Sequence, residues 1–555
     1  MASLVKKTNS GHEYWYIVES RRINGKPTPV VVQYLGSIAN ILSHYSAGGT
    51  EGLEYQSHAH GAVSALVRIA EKTGLLGILK EHLPGQERDG LQRGESLLLA
   101  AIHRAVNPGS KRSFSKWAKT TTLPTLMRFE ADELTSQHFW DQMDGIGAQE
   151  LAACEDAITR RVFELYDFKV EKLLLDYTNY YTYLATSNDR NTLAKRGHSK
   201  QKRSDLRQYS LAVVTTKDVL FPMCSHVYEG DHADHMEFPV YLDLLKTRIP
   251  GFDAGSTTLV YDGGSNTWDN LKSLKEMGLH YVCAFSLYRC KELYDIPLED
   301  YERRTVHGRE VLCHRLRRDV WGAEREILLQ YSPKLFEGQM RELESDLAEN
   351  DARLRELRER LRAGRSKAGR DRDTAKERVA KEIRGIHQHD LFEIEFEGNP
   401  VVTDFSWKVN PERKAEVVRK YFGKKMLITD HQDWSTEEIV GTYGDQYVVE
   451  RIFKDTKNPH HFAIRPQYHW TDGRMRVHVF CCLLGLVLTS LLRKEMEVRG
   501  ISLENDALME ELGRIRECWV FEPSKKNKSG LTVSRHLERM SPLQQELWNV
   551  VSSIE

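Results

Sequence analysis

KLLLDYTNYY, residues 172–181, is where the pattern of this chain changes. Upstream, residues 58 to about 168 carry apolar residues at helical spacing, as in GAVSALVRIAEKTGLLGILKEHL and ESLLLAAIHRAV. At 172 a short apolar run instead meets an acid, Asp176, and continues in polar and aromatic residues, which reads as a buried strand. Downstream, LRQYSLAVVTTKDVLFPMCSHVYEG reads as two strands around Thr216-Lys217-Asp218, and a helix is expected from about His235 to Lys246. TTLVYDGG is a further strand with Asp262 at its C-terminal end, followed by a helix at WDNLKSLKEMG and a strand at YVCAFS. The order is β-β-β-α-β-α-β with an acid on the first and fourth strands, an α/β core running over 169–287.

The flanks read differently. Residues 13–36 alternate in polarity and turn at Asn24-Gly25, a hairpin pattern within an N-terminal region 1–50. Residues 51–168 form a helical domain. Residues 288–424 read as an insertion of strand pairs and a charged helical hairpin. Met340, Leu343, Leu347, Asn350, Leu354, Leu357 and Leu361 alternate spacings of three and four, a heptad seam with one polar position. Gly364 and Gly369 interrupt it, and Ala375, Val379, Ile383 and Ile386 suggest a returning helix. The core resumes over 425–498 with a strand at GKKMLITDH. The S-x-x-E capping box of Ser435 and Glu438 then starts a helix near Thr436 that should run past Lys457 to Pro459. Residues 499–555 read as helical.

The bulk composition, 40% hydrophobic and 29% charged with net charge −1, is that of a chain with a sizeable core. Affinity for nucleic acid would have to come from segregated charge. The eight cysteines include no C-x-x-C pair, so reduced thiols are expected. No signal peptide is read at the start. The apolar stretch from Val477 to Leu492 is too short and polar for a bilayer span and reads as a buried helix, so no membrane is expected.

Two aspartates at strand ends and Glu450 on a capped helix are the acids a hard cation would use. Two such ions can activate a nucleophile and stabilise the leaving oxygen of a phosphodiester. Tyr443, Gln446, Glu450 and Lys457 are spaced by three, four and seven, one helical face; a solvated face with ordinary intrahelical pairs is the alternative. Lys195, Arg196, Lys200, Lys202, Arg203 and Arg207 cluster after the first acid strand. Lys111, Arg112, Lys116 and Lys119 surround Trp117 in NPGSKRSFSKWAK. The first set suits phosphate contacts or a solvated loop, and the second is a further candidate patch for phosphate contacts in the helical domain. GDHADH, with Asp231, His232, Asp234 and His235, is a rival metal cluster without a recognised zinc spacing. His460, His461, His469 and His478 read as structural or DNA-facing.

The spacing Tyr443-x-x-Gln446-x-x-x-Glu450-x-x-x-x-x-x-Lys457 resembles the YREK signature of DDE transposases from bacterial insertion sequences, the group named after insertion sequence four. VVERIFKDTK, LLLDYTNYYTY and LVYDGGSNTWDN resemble that family's blocks around its third, first and second acids. RGHSKQKRSDLRQYSLAVVTTKDVLFPMCSHVYEGDHAD, RPQYHWTDGRMRVHVFCCLLGLVL and the hairpin ending in QYLG resemble further family blocks. The resemblance implies a ribonuclease H-like core with an insertion before the third acid. It implies an enzyme that cuts DNA at transposon ends and joins the 3′-ends to a target. Asp176, Asp262 and Glu450 become the catalytic triad and the ligands of two Mg²⁺ ions, for which Mn²⁺ substitutes. Tyr443, Gln446, Lys457, Arg196, Lys200, Lys202, Arg203, Lys111 and Arg112 become DNA contacts. The implied partners are double-stranded DNA, as inverted-repeat ends and target, and a second copy of the chain on DNA. The implied place is the bacterial cytoplasm, at the nucleoid. The family has arginine where this chain has Gln446. A nuclease that cuts without joining and a DNA-binding descendant without catalysis remain the alternatives.

Overall fold

The computed structural model describes the chain except for residues 1, 10–11, 24–25, 39–52, 186, 198–199, 201–202, 204, 218–219, 221, 286–289, 364–370, 386–387, 399–400, 461, 465–467 and 524–530. The described chain divides into two compact units.

The larger unit comprises 66–114, 132–506 and 554–555 and is built on a nine-stranded mixed sheet. Five of its strands are β5 (Lys172–Thr182), β6 (Arg207–Thr216), β7 (Cys224–Glu229), β8 (Thr258–Tyr261) and β9 (His280–Phe285). β5–β6 and β6–β7 are antiparallel, whereas β5–β8 and β8–β9 are parallel, giving the order β7-β6-β5-β8-β9. The continuous apolar run of β5 has a direct cause. It is a central strand, and Leu173, Leu174 and Leu175 are all fully buried. The sheet continues from β9 through antiparallel β15 (Lys424–Thr429), β12 (Glu324–Tyr331), β11 (Arg309–Asp319) and β10 (Glu302–Val306). Strands from the expected insertion therefore extend the same sheet rather than standing apart from it.

Ten helices of this unit matter here. They are α1 (Arg93–Val106), α2 (Ala148–Leu165), α3 (Asp234–Arg248), α4 (Trp268–Met277), α5 (Pro333–Arg362), α6 (Arg372–Glu382), α7 (Pro411–Tyr421), α8 (Thr436–Gly444), α9 (Tyr447–Lys457) and α10 (Asp472–Val498). α10 carries the long apolar stretch and packs on α1 and α2; by length and composition it could cross a membrane, but 94% of its apolar window is buried inside the protein. α5 and α6 form the helical hairpin, with Leu343, Leu354, Leu357, Val379 and Ile383 in one core with Phe392 and Phe405 of the strand pair β13 (Phe392–Glu397) and β14 (Asp404–Val409). The polar seam position, Asn350, is fully buried and satisfied: its amide donates to the Arg384 carbonyl at 2.8 Å and accepts from the Arg384 N–H at 3.0 Å. Gly364, Gly369 and Ile386, which the sequence reading singled out, lie outside the described residues.

The smaller unit comprises 1–65, 115–131 and 507–553. β1 (Ala2–Asn9), β2 (His12–Ile23) and β3 (Lys26–Gly36) form an antiparallel sheet. β2 and β3 pair Ile23 with Lys26; the expected turn residues Asn24 and Gly25 lie outside the described residues.

Three expectations need correction. The helical reading of 499–555 fails at β16 (Arg516–Pro523) and β17 (Leu531–Leu537). The helical reading of 51–168 fails at β4 (Glu54–Ala59), because β4 is the other partner of β16. The pairing joins segments more than 450 residues apart in sequence, and short strands of this kind declare themselves only through such partners. The single helix expected from Thr436 to Pro459 is two, α8 and α9, separated by Asp445 and Gln446. Gly444 ends α8, and the Asp445 N–H tightens the turn onto the carbonyls of Gly441, Thr442 and Tyr443.

Candidate active site

β5 and β8 run parallel with Leu175 opposite Tyr261, so Asp176 and Asp262 follow at the same level on adjacent strands, roughly 4.8 Å apart across the sheet. β8 is followed directly by Asp262, whose carboxylate accepts the Gly263 N–H at 2.7 Å and caps the next turn. Asp176 accepts the N–H of Tyr177 at 2.7 Å. α9 packs on β5 and β6 and carries Glu450, whose charge acts on Asp176 and which itself feels Asp262. The capping box that starts α8 is complete, with Ser435 and Glu438 exchanging bonds of 3.1 and 2.8 Å.

The three acids feel one another. Burial pushes Asp176 up to about 7, and the charges of Asp262 and Glu450 add to that rise; the Tyr177 N–H and Lys200 oppose it. Glu450 is raised by partial desolvation and by Asp262, with Lys425 opposing. The Tyr443 hydroxyl is raised by burial and by the negative charge of Asp262, then Cys283, Glu450 and Asp176. A half-buried acid held among like charges is a costly arrangement that an added cation relieves.

The other singled-out residues divide into those turned toward this cluster and those that are not. Lys200 donates to the Tyr177 carbonyl at 2.8 Å and to Asp234 at 2.9 Å, so it serves the strand that carries Asp176. Lys457 bonds the Thr178 hydroxyl and lies 5.7 Å from the Tyr180 ring, fixing α9 to β5. Tyr443 is half-buried, with the Lys425 ammonium 4.9 Å from its ring. Gln446 is corrected as a DNA contact: it is 5% exposed, and its amide donates inward to the Leu175 carbonyl at 2.9 Å. Arg203 is paired twice with Asp205, at 2.8 Å each, and lies 5.3 Å from the Tyr181 ring. Arg196 is exposed, and Lys202 lies outside the described residues. Lys111 and Arg112 line a cavity elsewhere in the unit.

Sequence reasoning missed Lys425, the counter-charge to Glu450. Its signal was the period-two alternation of KKMLIT, which sets Lys425 and Leu427 on one face of β15, and Leu427 packs with Tyr443.

The GDHADH cluster is taken up by other partners: Asp231 lies 3.5 Å from Lys195, Asp234 holds Lys200, and His232 bonds Glu237 at 2.8 Å. Among the described residues a compact set of possible metal donors is His280, Asp430 and His431, with donor atoms all within 4.8 Å. They sit where β8 and β9 begin, at the end of the parallel strands opposite Asp262. Both rings are already engaged, His280 with Asp430 and His431 with Thr258, at 2.8 Å each.

No family model matches the chain, and no curated protein matches it. Among solved structures it is similar to a piggyBac transposase in a cryo-EM synaptic complex with hairpin DNA. The two are 9% identical, with a TM-score of 0.36, over 81% of this chain and 79% of that one. At that identity and score the likeness decides nothing about this chain's chemistry.

Proposed function

We propose that the chain is a DDE transposase, an enzyme that cuts phosphodiester bonds at transposon ends and joins the 3′-ends to target DNA. The observation that carries this reading is that Asp176 and Asp262 follow a parallel strand pair at the same level with Glu450 close by, the charges of Asp262 and Glu450 raising Asp176 and that of Asp262 raising Glu450. The order β7-β6-β5-β8-β9, with acids on the first and fourth of these strands in chain order, supports a ribonuclease H-like core. The YREK-like spacing supports the insertion-sequence assignment.

The donor set fits Mg²⁺ or Mn²⁺: three carboxylates and no thiol or imidazole, in an environment where their negative charges oppose one another. Asp176, Asp262 and Glu450 would hold two ions, which when bound would supply activation of the attacking oxygen and stabilisation of the leaving one. The chain's own residues position these acids. Gln446 ties the start of α9 to the carbonyl preceding Asp176, Lys457 ties its end to Thr178, and Lys200 holds the carbonyl that follows Asp176. Lys200 and Lys425 also supply positive charge beside Asp176 and Glu450. Double-stranded DNA as partner, a dimer on that DNA and a place in the bacterial cytoplasm belong to the same proposal.

One observation favours a second reading, a DNA-binding descendant without catalysis. Gln446 brings no charge where the family has arginine, and it is buried. The two readings separate in a cleavage assay on DNA that carries the gene's own flanking sequences. The expected result is nicking at the ends and joined product in Mg²⁺ or Mn²⁺, lost in Asp176→Asn, Asp262→Asn and Glu450→Gln but kept in Asp205→Asn. Binding without nicking would establish the second reading, and nicking without joining a nuclease.

A further inference from the structure

Away from the carboxylates, the larger unit contains a cavity of about 810 Å³ among α1, residues 108–114, the helix Ser136–Met143, Pro459, Ala463, residues 468–470 and α10. That volume lies within the roughly 300–1,000 Å³ of small-molecule sites. Its composition is unusual in two ways at once. Phe114, Phe139, Trp140, Tyr468 and Trp470 supply flat aromatic wall. Arg104, Lys111, Arg112 and Arg474 supply cations, and none of the described lining residues is acidic.

The cations are poorly balanced. Among the described residues Arg474 alone of the four has an acid, Asp144, which it meets at 2.5 Å. Lys111 reaches only a neutral partner, Nε2 of His469 at 3.3 Å, and burial with Arg104 and Arg474 nearby lowers it to about 8. Arg104 donates one bond to the Gly109 carbonyl at 2.8 Å, while its Nε is buried with no hydrogen-bond partner among the described residues. The same cations, after burial, hold His469 and His478 well below the ordinary histidine value. The electrostatic deficit is that of a site missing an anion.

The aromatics at the mouth are left in water: Trp140 is 39% exposed, Tyr468 60% and Trp470 66%. An inorganic anion would use the cations and leave these faces bare, and an apolar ligand would do the reverse. A nucleotide uses both, because every base offers a face for stacking and every nucleotide a phosphate. The mouth is also tied to the strand that carries Asp176. Tyr468 stacks on Tyr183 at 5.5 Å, and Asn188 donates to the Trp470 carbonyl at 3.0 Å. Tyr183 follows the end of β5, seven residues after Asp176, which at about 3.3 Å per residue is roughly 20 Å, a few nucleotides of strand.

We propose that this cavity binds one unstacked nucleotide, with its base between the aromatic walls and its phosphate at Lys111 and Arg104. The nucleotide comes either from a DNA strand or from the free pool; the strand source rests on the transposase reading, whereas the binding chemistry does not.

Trp140 and Trp470 make the site its own probe. The full chain, kept in EDTA so that the carboxylate cluster plays no part, is titrated with deoxyadenosine monophosphate, inorganic phosphate and a short single-stranded oligonucleotide while tryptophan fluorescence is followed. The expected result is saturable quenching by the mononucleotide, the oligonucleotide or both, with phosphate at least tenfold weaker. Lys111→Met should weaken binding about tenfold or more, the loss of a charge-assisted bond. Trp470→Ala, at an exposed position that leaves the fold intact, should weaken binding and reduce the quench. Quenching by the oligonucleotide alone, lost when one position is made abasic, assigns the strand source; comparable binding of the mononucleotide assigns the free pool. No saturable quenching by either, phosphate binding as tightly as nucleotide, or unchanged affinity in both variants would overturn the proposal. An absence of DNA cleavage would defeat the transposase reading and leave this readout untouched.

Discussion

Replacing Asp176 by asparagine should make the metal-free protein more stable while abolishing its chemistry. In the fold the Asp176 carboxyl titrates at about 7 rather than at 3.8, chiefly because it is buried. A carboxyl raised in this way contributes stability that is fully present below the unfolded value and is lost as pH rises through the folded one. The metal-free protein therefore loses this contribution between about pH 4 and 7, and the loss levels off above. A difference of roughly three units at about 1.4 kcal/mol each amounts to about 4 kcal/mol, and residual solvation of a half-buried group brings this to about 2–4. Asparagine carries no charge to desolvate, so Asp176→Asn should recover that amount at pH 8 and almost none at pH 4. With an unfolding entropy of about 2.1 cal/mol/K per residue over a unit of roughly 400 residues, the gain reads as about 2–5 °C in Tm. The assay is thermal unfolding of both proteins from pH 4 to 8, in EDTA and in Mn²⁺. Mn²⁺ should raise the Tm of the native protein and largely fail to raise that of the variant. Parallel pH profiles in EDTA, or equal stabilisation of both proteins by Mn²⁺, would refute the reasoning that the cluster is an electrostatically loaded cation site.

Three other perturbations test different parts of the structure. Arg248 is 8% exposed and holds Glu155 and Asp156 at 2.5 Å each, so Arg248→Met should cost about 3–5 kcal/mol, read as a lower urea midpoint that salt barely changes. Asn350→Leu removes both bonds to the Arg384 backbone and should cost about 1–3 kcal/mol, with faster proteolysis between α5 and α6; unchanged cleavage would mean the seam tolerates an apolar residue there. Lys200 lowers the Asp176 carboxyl, so Lys200→Met should move the pH profile of Mn²⁺-dependent nicking to higher pH, and an unmoved profile would show that Lys200 does not act through Asp176.

What the sequence disclosed and what it withheld follow from the range of the interactions. β5 and β8 announced themselves because strands buried on both faces are written as unbroken apolar runs, and their acids stand out at the ends of those runs. Ser435 and Glu438 sit three residues apart, so their exchange is local and was legible. The strand β16 was not, since its pairing with β4 is invisible to any local period. The break between α8 and α9 hung on Gly444 and on a tightened turn, weaker signals than the shared spacing of Tyr443, Gln446 and Glu450. That spacing put Gln446 on an outward face, and the break lets it turn in to Leu175. Lys111 and Arg112 were visible as charge, but the cavity they line is assembled with Tyr468, Trp470 and α10, more than 350 residues away.

The formal net charge of −1 hides two opposite imbalances within the larger unit. At Asp176 three acids crowd together, with Lys200 and Lys425 as partial counter-charges. Around Lys111 four cations gather with no acid among the described residues of the cavity wall. Each arrangement costs folding energy as it stands, and each is relieved by a ligand of the other sign, a divalent cation in one case and a phosphate in the other. Neither imbalance is an accident of an open surface, since burial raises Asp176 and lowers Lys111 before any neighbour acts. β5 and the Tyr183–Tyr468 stack join the two places, so under the proposed function a strand bound at the acids would have its next few phosphates within reach of the cations. A polyanion that brings its own metal ions satisfies both sites together, which neither a small anion nor a cation does alone.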